Sequence, residues 1–153
     1  MKPVLVDAGP LVALLRQRDF WHGACVAALK DLKVPLLTSW PVLTEAAWLL
    51  RREPHLVTQL LRSQDGGGIR VIELGSECLS WTATFIERYA DLPADLADAT
   101  LVYLAEREKI STVFTLDRKD FSIYRLAGNR RLDLVPVNPR EKLNPHRAAR
   151  RES

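Results

Sequence analysis

The 153 residues hold two cysteines, three histidines, one methionine and seven glycines. Cys25 and Cys78 lie far apart, each within a helical pattern, and read as two buried free thiols in a reducing cytosol. Neither they nor the histidines are arranged with zinc-ligand spacing. Long apolar runs are missing too. The longest mostly apolar stretch, Val4 to Leu15, is interrupted by Asp7, Gly9 and Pro10, which leaves nothing long enough to span a membrane. One lysine and then an apolar run open the chain, which is not the pattern of a secretory signal. The body also lacks a charge excess. Five of the 22 Lys and Arg, and two of the 19 Asp and Glu, fall in residues 140–153, leaving 17 of each sign before them. The net charge of +3 therefore belongs to the tail, which is expected to be a solvated, poorly ordered end able to add phosphate contacts. The expected domain organisation is one folded domain over residues 1–139, followed by a basic tail over 140–153.

Apolar residues make up 47% and charged residues 27%, the balance of a globular domain with a substantial core. Val4-Leu5-Val6 is apolar on consecutive positions, as a strand buried on both faces of a parallel sheet requires. Further strands are predicted at 35–38, 69–72 and 111–115, with an edge strand over 132–137 closed by prolines. Helices are predicted between them: 11–16, one opening at Asp19, one from Ser39 to about Arg52, one from Pro54 through Leu61, and one capped by Ser76. The last of these carries Leu79, Thr82, Phe85, Ile86 and Tyr89 on one side. After a break at Pro93, Asp95 starts a helix that is apolar nearly all round and hence central. Gly128-Asn129 is predicted as a turn. This alternation gives an α/β fold: a three-layer α/β/α sandwich with a mostly parallel central sheet.

Acidic residues recur at the ends of these elements. Asp7 closes the first strand, where open α/β sheets place ligand sites; it also suits a helix cap. Glu45 lies at the edge of the apolar stripe of the third helix, where it needs a partner or an exit to solvent. Asp95 is explained as an N-cap, but Asp98, three residues on, faces the core beside Ala97 and Ala99. Asp117 follows directly on a strand, with Asp120 close behind. If the sheet is parallel, these acids meet at one edge. Clustered carboxylates repel and raise one another's pKa unless a cation neutralises them. An all-oxygen donor set favours Mg²⁺ or Mn²⁺ over zinc.

Four segments, VLVDAGPLVALL (4–15), SWPVLTEAAWLL (39–50), DLADATLVYLAE (95–106) and TVFTLDRKDF (112–121), together resemble PIN-domain ribonucleases, specifically the VapC-type toxins of prokaryotic toxin–antitoxin pairs. They occur in that family's order and spacing over nearly the whole domain. The resemblance implies a Mg²⁺- or Mn²⁺-dependent endoribonuclease that uses an ion-activated water. It carries the acidic quartet onto Asp7, Glu45, Asp98 and Asp117, with Glu45 as ligand or as orienter of the water. It assigns a supporting hydroxyl to Thr115 and leaves Asp95 and Asp120 to assist or substitute. Arg118 and Lys119 sit where they either hold the RNA backbone or form a solvated turn. The implied partners are RNA, a cognate antitoxin covering the site, and a second copy in a homodimer. The first helices, with Leu14, Leu15, Phe20 and Trp21 taken as exposed, are the expected antitoxin groove. The four tryptophans read as core or interface more readily than as base-stacking platforms.

Two readings from other classes fit poorly. A phosphoacceptor signalling domain needs an acceptor Asp after the middle strand, where Glu73-Leu74-Gly75 stands instead. A phosphatase with Asp-x-Asp after the first strand fails because Ala8-Gly9 follows Asp7. A catalytically silent RNA-binding or protein-interaction module on the same fold is the alternative, and loss of metal binding separates it from the enzyme.

Overall fold

The computed structural model describes residues 1–92 and 94–139; the predicted break at Pro93 and the basic tail lie outside the described residues. Five short strands form one sheet in the order β3-β2-β1-β4-β7: β1 (Leu5–Val6), β2 (Leu36–Thr38), β3 (Ile69–Val71), β4 (Thr112–Phe114) and β7 (Asp133–Leu134). Every pairing in it is parallel. Leu5 pairs with Leu37 on one side and Val113 on the other, and both residues of β1 are fully buried. Strand order moves one way from β1 through β2 to β3, then jumps back across β1 to β4 and β7. Right-handed crossovers in opposite directions put their helices on opposite faces. The crossovers run through α1 (Ala8–Leu15) and α2 (His22–Leu29), α3 (Trp40–Leu49) and α4 (Pro54–Arg62), α5 (Cys78–Arg88) and α6 (Leu96–Glu108), and α7 (Arg118–Ile123). The α/β/α sandwich read from the alternation is the fold found. The reversal between β1 and β4 is a topological switch point, with the crevice lying outside the strands' carboxyl ends.

Local chemistry sets the helix starts that matter for this crevice. Asp7 accepts from the Ala8 N–H, so α1 begins at Ala8 rather than Leu11, and Pro10 falls in the first turn, where its missing N–H is harmless. Ser39 caps α3 by accepting from the Val42 N–H, and Asp95 caps α6 by accepting from the Asp98 N–H. Lys109, at φ 55°, ends α6 in the left-handed conformation. Across the layers, the Ser39 and Thr100 hydroxyls share a 2.8 Å hydrogen bond that ties α3 to α6.

Several expectations are corrected. Ser76 does not cap α5: the helix starts at Cys78 after Glu77, and no side chain caps it. Leu79 and Ile86 project to solvent, whereas Thr82 and Phe85 hold the buried side. The third helix stops at Leu49, whose side chain is exposed and whose carbonyl accepts from Arg16. The edge strand is only Asp133–Leu134, although Val135 continues the ladder to the Val113 carbonyl. A short antiparallel ribbon, β5 (Arg125–Leu126) with β6 (Arg130–Arg131), flanks the predicted turn, where Gly128 and Asn129 both take positive φ. Leu14, Leu15 and Trp21 are not free surface residues: they are half-buried against the core, and Phe20 alone of that set is fully exposed. Cys25 and Cys78 are free and buried, as expected. No helix among the described residues is long and apolar enough to cross a membrane.

Candidate active site

The site begins where β1 and β4 end side by side. Val6 pairs with Phe114, and the Asp7 N–H donates to the Phe114 carbonyl at 2.9 Å, which extends the ladder by one residue and brings Asp7 next to Thr115. The buried Thr115 hydroxyl donates to Asp7 Oδ2 at 2.8 Å and accepts from the Asp117 N–H at 3.0 Å. One side chain thus fixes both the strand-one carboxylate and the chain turn that presents Asp117. Asp117 in turn caps α7, with Oδ1 accepting from the Asp120 N–H at 3.2 Å.

Helix α6 delivers the third acid. Asp95 Oδ1 holds the Asp98 N–H at 2.8 Å, and Asp98 itself is buried. Its Oδ2 accepts a 2.9 Å hydrogen bond from the Tyr124 hydroxyl. Among the described residues, Asp98, Asp117 and Asp120 each place one carboxylate oxygen within 4.8 Å of the others, close enough for one cation. Glu45, half-buried on α3, lines a groove of about 580 Å³ with Asp95, Trp40, Trp48 and Leu96.

The electrostatics show that these acids share one field. Burial pushes the Asp98 carboxyl up to about 8, with the charges of Asp7 and Asp95 adding and the Tyr124 hydrogen bond opposing. Burial pushes Glu45 up to about 7, again with Asp95, Asp7 and Asp117 adding. Asp7 is also raised, by burial first, against the lowering effect of its bonds from Thr115 and Ala8. Asp120 is raised by burial and by Asp117, and Lys119 offsets part of this. A buried Asp98 beside the half-buried Asp120 and the exposed Asp117 makes an all-oxygen donor set open to solvent on one side, which a hard divalent cation fits.

The predicted residues come together unevenly. The charges of Asp7 and Asp117 act on both Glu45 and Asp98, while the close group itself is Asp98, Asp117 and Asp120. Asp95 is held as a cap. Arg118 donates to the Val135 carbonyl at 2.8 Å, while Lys119 is exposed beside Asp120. Sequence reasoning missed Tyr124. The available signal was a tyrosine three residues after Phe121 in a core-facing segment, because a buried hydroxyl needs a partner.

Comparison with known proteins bears on the family and the fold. The PIN domain matches residues 4–128. The Mycobacterium tuberculosis protein Ribonuclease VapC26 is 27% identical over 135 residues, covering 87% of this chain and all of that protein. The crystal structure of M. tuberculosis VapC20, described as a toxin that cleaves the sarcin–ricin loop, superposes with a TM-score of 0.69 at 19% identity, over 76% of this chain and 91% of that one. A toxin–antitoxin complex from Klebsiella pneumoniae gives a TM-score of 0.62 at 16% identity, over 91% of this chain and 99% of that one. With the family's domain spanning most of the chain and acids gathered at its switch point, this protein belongs to the PIN-domain family.

Proposed function

We propose that the chain is a divalent-metal-dependent endoribonuclease of the VapC type, the toxin of a toxin–antitoxin pair acting in the cytoplasm. The observation that carries this reading is the convergence of Asp98, Asp117 and Asp120 on one point, with Asp7 and Glu45 in the same field. Its relative VapC26 is a ribonuclease, and VapC20 and the Klebsiella complex are toxin structures. Asp98, Asp117 and Asp120 would hold Mg²⁺ or Mn²⁺, and Asp7 would complete the donor set. When bound, such an ion lowers the pKa of water and places positive charge against the phosphodiester.

The chain's own residues do the rest. Thr115 keeps Asp7 and the turn at Asp117 in register. Glu45, raised by burial and by Asp95, Asp7 and Asp117 in the metal-free site and lowered again by a neighbouring cation, would orient the attacking water and take its proton. Lys119 contacts the RNA backbone, and so does Arg118, through guanidinium nitrogens other than the Nη1 bound to Val135. The antitoxin covers the carboxylates and reaches the groove of Leu14, Leu15, His22, His55 and Leu56. The exposed face of Trp40, Trp48 and Leu96 packs against a second copy. Fragment-end chemistry tests the water attack. Hydrolysis leaves one linear phosphate end and one hydroxyl end. A 2′,3′-cyclic phosphate would instead mean attack by the ribose hydroxyl and would overturn the mechanism.

A further inference from the structure

Tyr124 is fully buried immediately after α7. Its N–H donates to the Asp120 carbonyl at 3.2 Å. Its ring packs against Phe121 at 5.2 Å, Phe85 at 5.0 Å and Tyr89 at 5.1 Å between centroids. Its hydroxyl reaches across to α6 and donates to Asp98 Oδ2. We infer that Tyr124 is a positioning residue for the cation site: its hydroxyl fixes both the orientation of the Asp98 carboxylate and the placement of α7 against α6. This rests on the reading that these carboxylates hold a divalent ion.

The packing supplies the reason. Helix α7 is six residues long and carries Asp117 at its cap and Asp120 in its first turn. Asp98 belongs to a different helix, so the three oxygens converge only if α6 and α7 keep a fixed relation. The hydrogen bonds from the Asp117 N–H to Thr115 and from Arg118 to Val135 anchor the start of α7, and Phe121 and the aromatic cluster pack its far end, but none of these contacts reaches Asp98. The hydrogen bond from Tyr124 to Asp98 is directional, and its burial removes water as a rival partner. It also occupies one oxygen of Asp98, which stops the carboxylate from rotating. Partners that orient ligands in this way typically change metal affinity by about 10–100-fold when lost.

The decisive variant is Tyr124→Phe, which keeps the ring and removes only the hydroxyl. Tyr89→Phe is its control. The Tyr89 hydroxyl accepts from the Arg125 N–H and its ring packs on Tyr124, but that hydroxyl bond does not involve Asp98. Mn²⁺ binding to each purified protein is measured from the spin-resonance signal of free Mn²⁺, with near-ultraviolet dichroism as the check on packing. Tyr124→Phe is expected to weaken Mn²⁺ binding about tenfold or more. It should shift half-activation of RNA cleavage by the same factor and recover near-wild-type rate at saturating Mn²⁺. Tyr89→Phe should bind as wild type does. Equal affinity in wild type and Tyr124→Phe, with Asp98→Asn deficient, overturns the inference and leaves the metal reading standing. So does a lower rate at every Mn²⁺ concentration with unchanged affinity, the mark of a purely structural role. Failure of wild type itself to bind Mn²⁺ overturns both.

Discussion

Asp7 sits in the sheet crevice with each oxygen accepting one hydrogen bond, one from the Ala8 N–H at the start of α1 and one from Thr115, which orients the carboxylate and leaves a lone pair on each oxygen. Burying acids this way has a consequence for stability. The ordinary values are 3.8 for Asp98 and 4.5 for Glu45, against about 8 and about 7 in the fold. Between those limits the native state binds more protons than the unfolded chain, so stability falls as pH rises. The contribution is fully present below the unfolded values and is lost as pH passes through the folded ones. In protein stripped of divalent metal, the melting temperature is therefore expected to fall from about pH 5 to about pH 8, less steeply in Asp98→Asn, and to recover on adding Mn²⁺. A flat or rising profile in metal-free wild type would contradict the raised pKa of these buried acids. The places of Asp7 and Asp117 at strand ends and of Asp98 on a buried helix face were legible in the sequence, because a carboxylate in such a position needs a reason to be there. Tyr124 was not, since an aromatic at helical spacing reads equally well as core.

At the scale of elements, caps set where the acids point. Asp95 does two opposed things: its side chain secures the first turn of α6, and its charge raises Asp98, Glu45 and Asp7. Asp95→Asn keeps an acceptor for the Asp98 N–H and removes the charge, so it should hold the melting temperature at neutral pH and lower the apparent pKa of Asp98. Asp95→Ala removes the cap and should cost about 1 kcal/mol. Equal destabilisation by both variants would show that the charge itself is needed there. The caps at Ser39 and Asp95 were legible because hydroxyl and carboxyl residues precede apolar helical spacing. Ser76 carried the same local signal without being used, since Glu77 continues the chain into helical conformation before Cys78. The apolar side of α5 was misjudged for a related reason: periodicity marks a stripe, but Phe85, which stacks on Trp81, fixes which edge of it is buried. The β5–β6 ribbon, rich in arginine and lacking apolar alternation, offered no strand signal at all.

At the scale of the molecule, strand order explains why acids distant in sequence meet. Parallel pairing with a reversal between β1 and β4 turns two strand ends into neighbours, and α6 and α7 carry the remaining carboxylates to the same edge. The class of fold was legible because buried strands read as continuous apolar runs. The strand order was not, because it depends on which helices pack together rather than on any single segment. The surface adds one expectation. Trp40 and Trp48 are 58% and 64% exposed, and Leu96 joins them along one groove. The wild type is expected to sediment as a dimer and Trp40→Ser/Trp48→Ser as a monomer; a monomeric wild type, or an unchanged double variant, would contradict that interface.

The central claim is that the gathered carboxylates make this chain a metal-dependent ribonuclease. It is tested most directly by incubating the purified protein with total RNA in Mn²⁺, in Mg²⁺ and in EDTA, beside Asp7→Asn and Asp98→Asn variants of verified fold. The account predicts cleavage at discrete sites with either metal, none in EDTA, and a loss of at least about a hundredfold in both variants. Cleavage that survives EDTA, or that persists in both variants, would contradict it, as would the absence of any cleavage by protein free of a bound antitoxin.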